Sequence, residues 1–441
     1  MKKIIALALC LLMVVSLVAC AKTENDVDQA LSEKVDATKD NAANAEVAVE
    51  GDYAGQTLTV WTAYQEGTPT WEVANAYIAR FEEQTGATIE VKHLGTDLQT
   101  MLYPALDAGE DIDVFLTGST IQLALQLDHA LPLNEYIENS DFLDRAYPIH
   151  MEIIKDQSEN DDTYYAIPTV SSFSSFWYNQ DIFDAAGITE VPETIEEFEA
   201  ACDAIVAAGY YPMALDSAYA VSTFGALVER TVGEKVVGDL AMNGGFADNE
   251  RFVAACQKVI DWKAKGYFEP DAPGVWPASQ NRIGLMKDTA MVYTGMWLPG
   301  EVEGACGEIL NWNCMKFPYD PTCEEGTYGA SVSCTCNMIN KNTDTPDLAW
   351  EYMYFMATGK VNQDLTNAED YLVDDMTMEP LPKFEGAKEI METTTEVVNY
   401  AGGLHDNVDI KTSISEIATN LFAGMYATGE EAAAAFDALL G

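Results

Sequence analysis

The spacing of apolar and polar residues divides the chain into three parts. Residues 4–15 are a continuous apolar run, residues 21–52 show no apolar period, and the remainder carries apolar residues at strand and helix spacings. Alternation over residues 57–61 predicts a β-strand, and apolar residues three and four positions apart predict a helix over 71–84, ended by Gly86. The folded part of the chain is therefore expected to begin near residue 53.

The same alternation of strand and helix patterns continues along the chain. Thr194 and Glu197 have the spacing of a capping box, which predicts that a helix begins there and runs to Ala208. Strands alternating with helices imply an α/β fold with a mainly parallel sheet covered on both faces. The other expected strands are 88–91, 112–116, 173–178, 211–215 and 291–293, and the other expected helices are 98–108, 220–232, 249–265, 346–356, 410–426 and 430–440.

The first apolar run has the features of an export signal. Lys2 and Lys3 precede it, and it is shorter than the roughly 20 residues that a membrane-spanning helix needs. It ends in Leu-Val-Ala followed by Cys20, which resembles a bacterial lipobox. We expect a signal peptide over residues 1–19, lipid on Cys20, and a disordered acidic tether over residues 20–52. A secretory signal with a chance cysteine is the alternative.

Length and charge restrict the class of protein. The chain has 441 residues, a formal charge of −49 and 48% hydrophobic residues. About 390 residues remain after the leader and tether, which suits two lobes better than one core. The negative charge argues against nucleic acid, which requires a basic face. One explanation of the charge is that a high net charge keeps an exported protein soluble. The other is that the protein binds a cationic ligand.

Seven cysteines lie in the body of the chain, and five of them fall between residues 306 and 336. An exported protein can form disulfides, but an odd count leaves at least one thiol over. No Cys-x-x-Cys pair or nearby histidine supports a zinc site. Buried thiols are therefore the main expectation, with a local disulfide as the alternative. The seven are Cys202, Cys256, Cys306, Cys314, Cys323, Cys334 and Cys336.

The order of several short motifs resembles that of extracellular solute-binding proteins of family 1, the sugar-importer type. The most diagnostic motif is residues 177–188, Trp-Tyr-Asn-Gln-Asp-Ile-Phe-Asp-Ala-Ala-Gly-Ile. Other matching segments are 58–61, 81–86, 109–115, 165–168, 192–198, 290–297 and 349–353. Two segments depart from the family pattern, namely the acidic residues 367–379 and the cysteine-rich residues 306–336.

This resemblance implies a two-lobed, type II periplasmic-binding-protein-like fold with a hinge. Lobe 1 is expected to contain residues 53–165 and part of 290–345, and lobe 2 residues 175–285 and 346–441. The resemblance also implies a sugar or oligosaccharide ligand, an ABC permease as partner, and a monomer held at the extracellular face of the cell membrane by its lipid.

Candidate ligand-binding residues follow the predicted strands, since ligands of α/β sheets bind at the carboxyl ends of strands. Sugars present hydroxyl edges and flat C–H faces, which suit polar groups and aromatic rings. Trp61 is also a candidate for the core. The candidates after the first and third strands are Trp61, Tyr64, Gln65, Thr117, Gly118 and Ser119.

Five more candidates lie further along the chain. By resemblance, Ser172 and Phe173 lie near the crossing between lobes, and Trp297 lines the cleft. Asp216 follows the strand at 211–215 and either contacts ligand or caps a helix. Trp276 lies in a proline-rich loop, where it is a possible stacking surface.

Enzymes are the main rival class. The sequence has no Gly-x-Ser-x-Gly, no His-x-x-x-His and no glycine pattern of a nucleotide site. Asp111 and Asp113 could suggest a glycosidase pair, but Asp113 lies within a strand pattern. We therefore expect a binding protein without cofactor or metal. A cationic or peptide solute, or a receptor that presents ligand to a sensor kinase, are the alternatives.

Lipidation at Cys20 has a direct test. Cys20→Ala should release the protein into the medium, because the acyl chains that hold it to the membrane can no longer be attached. Cell fractionation with immunoblotting measures the released fraction. Cys10→Ala, within the leader, is the control and should leave the protein on the membrane. Retention of Cys20→Ala at the control's level would contradict the prediction.

Overall fold

The structure is a computed structural model, and it describes residues 49, 51–117, 124–158, 162–307, 309–324 and 329–440. The leader, Cys20, almost all of the tether, Gly118 and Ser119 lie outside the described residues. The strands are β1 (Thr57–Thr62), β2 (Thr88–His93), β3 (Val114–Thr117), β4 (Ile167–Asn179), β5 (Tyr211–Ala214), β6 (Thr289–Gly295), β7 (Trp312–Met315) and β8 (Ser331–Ile339).

Helices separate most of the strands along the chain. They are α1 (Pro69–Thr85), α2 (Leu98–Ala108), α3 (Asn134–Glu138), α4 (Phe142–Arg145), α5 (Pro148–Asp156), α6 (Gln180–Ala185), α7 (Ile195–Ala207), α8 (Ala220–Thr231), α9 (Glu234–Asn243), α10 (Glu250–Ala264), α11 (Ala278–Gln280, continued by the π-helical Asn281–Met286), α12 (Leu298–Cys306), α13 (Pro346–Ala357), α14 (Gly359–Glu369), α15 (Glu385–Thr393), α16 (Lys411–Ala423) and α17 (Gly429–Asp437).

Local sequence signals set several helix ends where the pattern predicted them. The Thr194 side chain accepts a hydrogen bond from the Glu197 backbone, and the Glu197 carboxylate accepts one from the Thr194 backbone, which confirms the capping box. Helix α1 begins after Thr68, whose hydroxyl accepts a bond from Trp71 N, and ends at Gly86, whose φ is 73°. These bonds satisfy terminal backbone groups that have no partner inside the helix.

The sheet is mixed rather than mainly parallel. Its strand order is β2-β1-β3-β8-β4-β6-β5, with β7 also paired to β4. The predicted parallel pairing holds for β1 with β2 and β3, and for β5 with β6. Strands β4 and β8 run antiparallel to their neighbours. Both strands carry the chain between the two parallel groups, which is why the sheet changes direction there.

Strand β4 has 13 residues and runs from the first half of the sheet into the second. Its first part, up to Ser174, pairs with β8, and its last part, Ser174 to Tyr178, pairs with β6. Only residues 173–178 were predicted as a strand, and β8 was not predicted at all. The two crossing strands therefore join the halves of the molecule by a ladder of hydrogen bonds, whose register shifts once between Pro168 and Val170.

Two large apolar cores lie on either side of the crossing strands. The first gathers β1, β3, α1 and α2, and the second gathers β5, β6, α8 and α10. Helices α13 and α14 pack into the first core through Leu348, Met353 and Leu365. The expectation that residues 346–441 all belong to lobe 2 is therefore wrong for α13 and α14. Strand β6, from the segment 290–345 of which only part was expected in lobe 1, contributes Met291 to the second core.

A buried ion pair ties β8 to the second core. Arg230 and Glu229 are adjacent in α8, both are fully buried, and their charged groups are bonded to each other. The Arg230 guanidinium also donates to Phe317 O at 3.1 Å and to Gly329 O at 2.6 Å. A buried charge is tolerated only when paired and hydrogen-bonded. Arg230 therefore fixes the chain just before β8 against α8.

The body cysteines are thiols rather than disulfides in the described structure. Cys202 and Cys256 are buried in the second core, where they pack as small apolar side chains. Cys334 and Cys336 point from the same face of β8, with their sulfurs 3.6 Å apart. Among the residues that the structure describes, no helix is both long enough and apolar enough to cross a membrane.

Candidate functional site

The carboxyl ends of the parallel strands meet at the crossing between the two cores. In the first half, β3 ends at Thr117, which pairs with Cys336 of β8. In the second half, β6 ends at Gly295, which pairs with Ser174 of β4. The part of β4 and β8 between the Thr117–Cys336 pair and the Gly295–Ser174 pair therefore lies between the strand ends of the two halves. Ligands of α/β proteins bind at such positions.

The floor of this cleft is a set of small hydroxyl side chains. Side chains alternate between the two faces of a strand, and on one face of β4 and β8 every second residue is half-buried. The register sets Ser172 opposite Ser333, Ser174 opposite Ser331, and Val170 opposite Thr335. The face can therefore offer several hydrogen-bonding hydroxyls to a ligand.

Phe173 and Ser171 belong to the opposite, buried face of β4. Phe173 packs against Trp177, with ring centroids 6.1 Å apart. Of the two crossing residues predicted for the site, the structure thus brings Ser172 to the cleft floor and Phe173 to the packed layer behind it. The strand period separates them, because neighbouring residues face opposite ways.

The first wall of the cleft follows β1. Trp61 is a buried core residue inside the strand, and the Lys92 amine lies 3.7 Å from the centroid of its ring. Gln65 is exposed, and its side chain lies against Gly95. Tyr64 is half-buried, and burial together with the charge of Glu369 raises the pKa of its hydroxyl. Tyr64 and Gln65 remain the candidates on this wall.

Thr117 ends β3 at the same edge as the loop after β1, as predicted. Its side chain, like Gly118 and Ser119, lies outside the described part of the chain. Their contribution to the first wall stays a prediction.

Aromatic side chains form the second wall. Trp297 is half-buried, and its indole Nε1 donates to the Tyr219 hydroxyl at 3.3 Å. The Trp297 ring lies directly across Gly295, so closely that any side chain at Gly295 would collide with it. The missing Cβ therefore allows the ring to lie over the end of β6, next to Ser174.

Tyr400 is a third aromatic residue of this wall and was not among the predicted site residues. It is 45% exposed, its hydroxyl is bonded to Ser222, and burial raises its pKa, with the neighbouring Tyr219 adding to the shift. It stands in Asn-Tyr-Ala-Gly-Gly, where no periodic pattern marks it. An aromatic residue followed closely by two glycines was the only feature of the sequence that could have marked Tyr400 as a site residue.

Backbone packing holds Tyr400 in place. The next residue, Ala401, lies so close to Gly225 of α8 that a Cβ at Gly225 would collide with its backbone. On the other side, the Glu234 carboxylate accepts the Asn399 backbone N–H at 3.0 Å. These two contacts fix the segment on α8 and α9.

Asp216 and Trp276 lie at the edge of the second wall. Asp216 is fully buried, and its carboxylate accepts the Ser279 N–H at 3.1 Å, so it caps α11. Burial raises its pKa. Trp276 is 54% exposed, in a loop that pairs with the end of β5 through Gly274 and Asp216. Asp216 thus supports the loop that presents Trp276 at the rim.

Three aspartates of the acidic segment 367–379 make internal contacts, whereas Glu369 and Glu379 are exposed. Asp375 accepts bonds from Arg145 at 3.0 Å and from Gly359 N at 2.6 Å. Asp370 forms an ion pair with Lys383 at 3.2 Å. Asp374 is bonded to Ser171 on the buried face of β4, and burial raises its pKa to about 7. These acids serve internal contacts and give no support to a cationic ligand.

Comparisons with known proteins identify relatives over most of the chain. The family model described as bacterial extracellular solute-binding protein matches residues 76–372. A binding protein of Brucella abortus (strain 2308) is 22% identical over 410 residues, covering 84% of this chain and 89% of the relative.

Two solved structures share the fold. A chitin oligosaccharide binding protein has a TM-score of 0.60 at 18% identity and covers 87% of this chain and 97% of its own. A receptor of Streptomyces glaucescens, solved without ligand and with acarbose, has a TM-score of 0.57 at 17% identity. The match covers 89% of this chain and 98% of the receptor.

The contact between Gly225 and Ala401 has a direct test. Gly225→Ala should lower the free energy of unfolding by about 1–3 kcal/mol, because its Cβ overpacks the Tyr400 segment. Gly304→Ala, in α12, is the matched control, since its Cβ would meet nothing within 4 Å. Its stability should rise by about 0.5–1 kcal/mol. Urea unfolding measures both, and equal effects at the two glycines would contradict the described contact.

Proposed function

The chain belongs to the family of bacterial extracellular solute-binding proteins, and from that premise we propose its ligand and its role. The protein captures a sugar or oligosaccharide in the cleft by hinge closure and delivers it to the permease of an ABC importer. It acts as a monomer at the outer face of the membrane, held by lipid on Cys20. It binds its ligand without catalysing a reaction.

The observation that carries this proposal is the pairing of a hydroxyl floor with an aromatic wall. The floor presents Ser172, Ser174, Ser331, Ser333 and Thr335 along the crossing strands. The wall presents Tyr219, Trp297 and Tyr400. Sugar hydroxyls suit the floor, and the flat C–H faces of sugar rings suit the aromatic rings. Two similar structures, a chitin oligosaccharide binding protein and a receptor solved with acarbose, support the same class of ligand.

Several rings in one wall favour an oligosaccharide over a single sugar. Trp297 and Tyr219 are joined by a hydrogen bond, and Tyr400 stands next to Tyr219. Trp276 extends the aromatic surface to the rim. A chain of sugar units offers a flat face to more than one of these rings at once, which a monosaccharide does not.

Closure would bring the two walls together over the ligand. The crossing strands join the halves, so a small change of twist between residues 171 and 174 of β4 turns one wall toward the other. A ligand favours the closed state only by the contacts that it makes in that state and not in the open one. Tyr64 and Gln65 of the first wall would supply those contacts.

A thermal-shift screen tests the ligand class. Sugars and oligosaccharides, amines and peptides are each added to the purified protein. At a ligand concentration of about 100 times Kd, binding stabilises the folded state by about 2.7 kcal/mol, which is a shift of several degrees. We expect oligosaccharides to give the largest shift. Stabilisation by amines or peptides and by no sugar would contradict the proposal.

A matched pair of tyrosines tests the site itself. Tyr400 and Tyr103 are both 45% exposed, but Tyr103 lies in α2, where it packs edge-on against His129. Tyr400→Ala should weaken sugar binding about tenfold or more, since covering a large apolar side chain such as an aromatic ring contributes roughly 1.5–3 kcal/mol. Tyr103→Ala should leave the affinity unchanged. Calorimetry distinguishes the two, and equal affinities would remove Tyr400 from the site.

A further inference from the structure

A small cavity lies at one end of the cleft floor, between the first wall and α14. Two residues of the crossing strands line it, Val170 of β4 and Asn337 of β8. Tyr64 of the first wall and Glu369, the last residue of α14, line it as well. Val170 and Asn337 are half-buried, on the faces of their strands that form the floor. The cavity is therefore part of the cleft.

Glu369 differs from the aspartates of the acidic segment 367–379. It is exposed, and none of the described residues forms an ion pair with it. It also ends α14, where the partial negative charge of the helix terminus disfavours a carboxylate. The stability of the helix therefore does not explain why a glutamate stands at this position.

The end of α14 is held next to the second wall. Asp370, which follows Glu369, pairs with Lys383 at 3.2 Å. A Cβ at Gly300 of α12 would lie 3.2 Å from the Asp370 Cβ, so the two segments pack closely. Gly300 comes three residues after Trp297. Glu369 thus reaches the cavity from a support that also contacts the helix following Trp297.

Tyr64 and Glu369 interact at the cavity. Burial raises the pKa of the Tyr64 hydroxyl, and the charge of Glu369 adds to the shift. Burial also raises the pKa of Glu369, and the Thr70 hydroxyl opposes this shift. Thr70 is a further residue of the cavity lining. A hydroxyl and a carboxylate therefore face the same small space.

The size of the cavity limits what it can hold. Its volume is about 10 Å³, and one water molecule needs roughly 10–15 Å³. A sugar ring does not fit, whereas a single hydroxyl group that projects from the ring is of the right size. A carboxylate can only accept hydrogen bonds, and bonds to a charged acceptor are about twice as strong as bonds between neutral groups. The cavity thus suits a hydroxyl group that donates to Glu369.

We propose that Glu369 is a ligand-binding residue of the cleft and accepts a hydrogen bond from one hydroxyl group of an uncharged sugar unit. The inference rests on the proposed function and names the class of sugar that the cleft accepts. Tyr64 lines the same cavity and positions the hydroxyl group. Because none of the described cations pairs with Glu369, its charge repels an anionic sugar. The cleft therefore selects uncharged oligosaccharides over those that contain uronic acids.

Calorimetric titration of the intact protein and two variants tests the role of Glu369. The probes are chitotriose, maltotriose and xylotriose, with the sugar of largest thermal shift where none of these binds. The best of them should bind Glu369→Gln about tenfold more weakly, since an amide oxygen accepts a weaker hydrogen bond than a carboxylate. Glu379→Gln should keep its affinity. It is the matched control, because Glu379 is the other exposed glutamate of segment 367–379 and is not among the residues that line the cavity.

The melting temperature distinguishes a ligand contact from a structural one. Without sugar, Glu369→Gln should have a Tm equal to or above that of the intact protein, because the change removes a negative charge from the C-terminal end of α14. A lower affinity together with a lower Tm would assign Glu369 to the support of the fold and would overturn the proposal.

Two results would contradict the proposal and leave the proposed function in place. The first is an equal affinity of Glu369→Gln and the intact protein for the best uncharged sugar. The second is binding of trigalacturonate by the intact protein as tightly as that sugar. If the intact protein binds no sugar at all, the proposed function itself fails, and the role of Glu369 fails with it.

Discussion

The alternation of side chains along β4 and β8 is the constraint on which the rest of the molecule depends. One face of this pair must pack, and the other must stay in contact with water. Ser171 is bonded to Asp374, and Phe173 packs on Trp177, on the first face. Ser172 and Ser174 stand on the second face. A slip of one residue in the register would exchange the two sets, burying hydroxyls and exposing aromatic rings.

Packing away from the cleft holds the walls in place around this floor. Arg230 holds the chain before β8 against α8. Gly225 has no side chain, so the backbone of Ala401 can pack closely against it. The Glu234 carboxylate accepts a hydrogen bond from Asn399. The Arg230 contact is buried and the Gly225 contact is close-packed, and the loss of either would cost about 1–3 kcal/mol. The exposed aromatic residues are therefore presented by a rigid support, which reduces the entropy lost on binding.

Local patterns in the sequence predicted the elements that depend on local physics. The apolar spacing of α1, the capping box of α7 and the bounds of α2 needed no distant contact, and all were correct. Strand β8 was missed although Val332, Cys334, Cys336 and Met338 alternate with polar residues. The cysteines there were expected mainly to be buried thiols, which is confirmed, but their alternation with polar residues was not taken as a strand pattern.

The site was harder to predict, because its residues come from distant segments. Trp61 lies inside β1 and faces the core. The predicted strand ended at Trp61, so the sequence left open whether its side chain faces the core or a ligand. Asp216 is buried only because the loop at Gly274 and helix α11 pack over it. Tyr400 depends on the contact of its neighbour with α8. Trp297 was predicted through family resemblance, and it lies half-buried beside Tyr219. Its contact with a ligand stays a prediction.

The central claim is that a sugar closes the two walls over the hydroxyl floor. Small-angle X-ray scattering of the purified protein, with and without the oligosaccharide found by the thermal-shift screen, tests it most directly. The account predicts that the radius of gyration falls when the ligand saturates the intact protein, and that Tyr400→Ala needs about ten times more ligand for the same fall, in line with its weaker binding. An unchanged radius of gyration at a saturation confirmed by calorimetry would contradict closure.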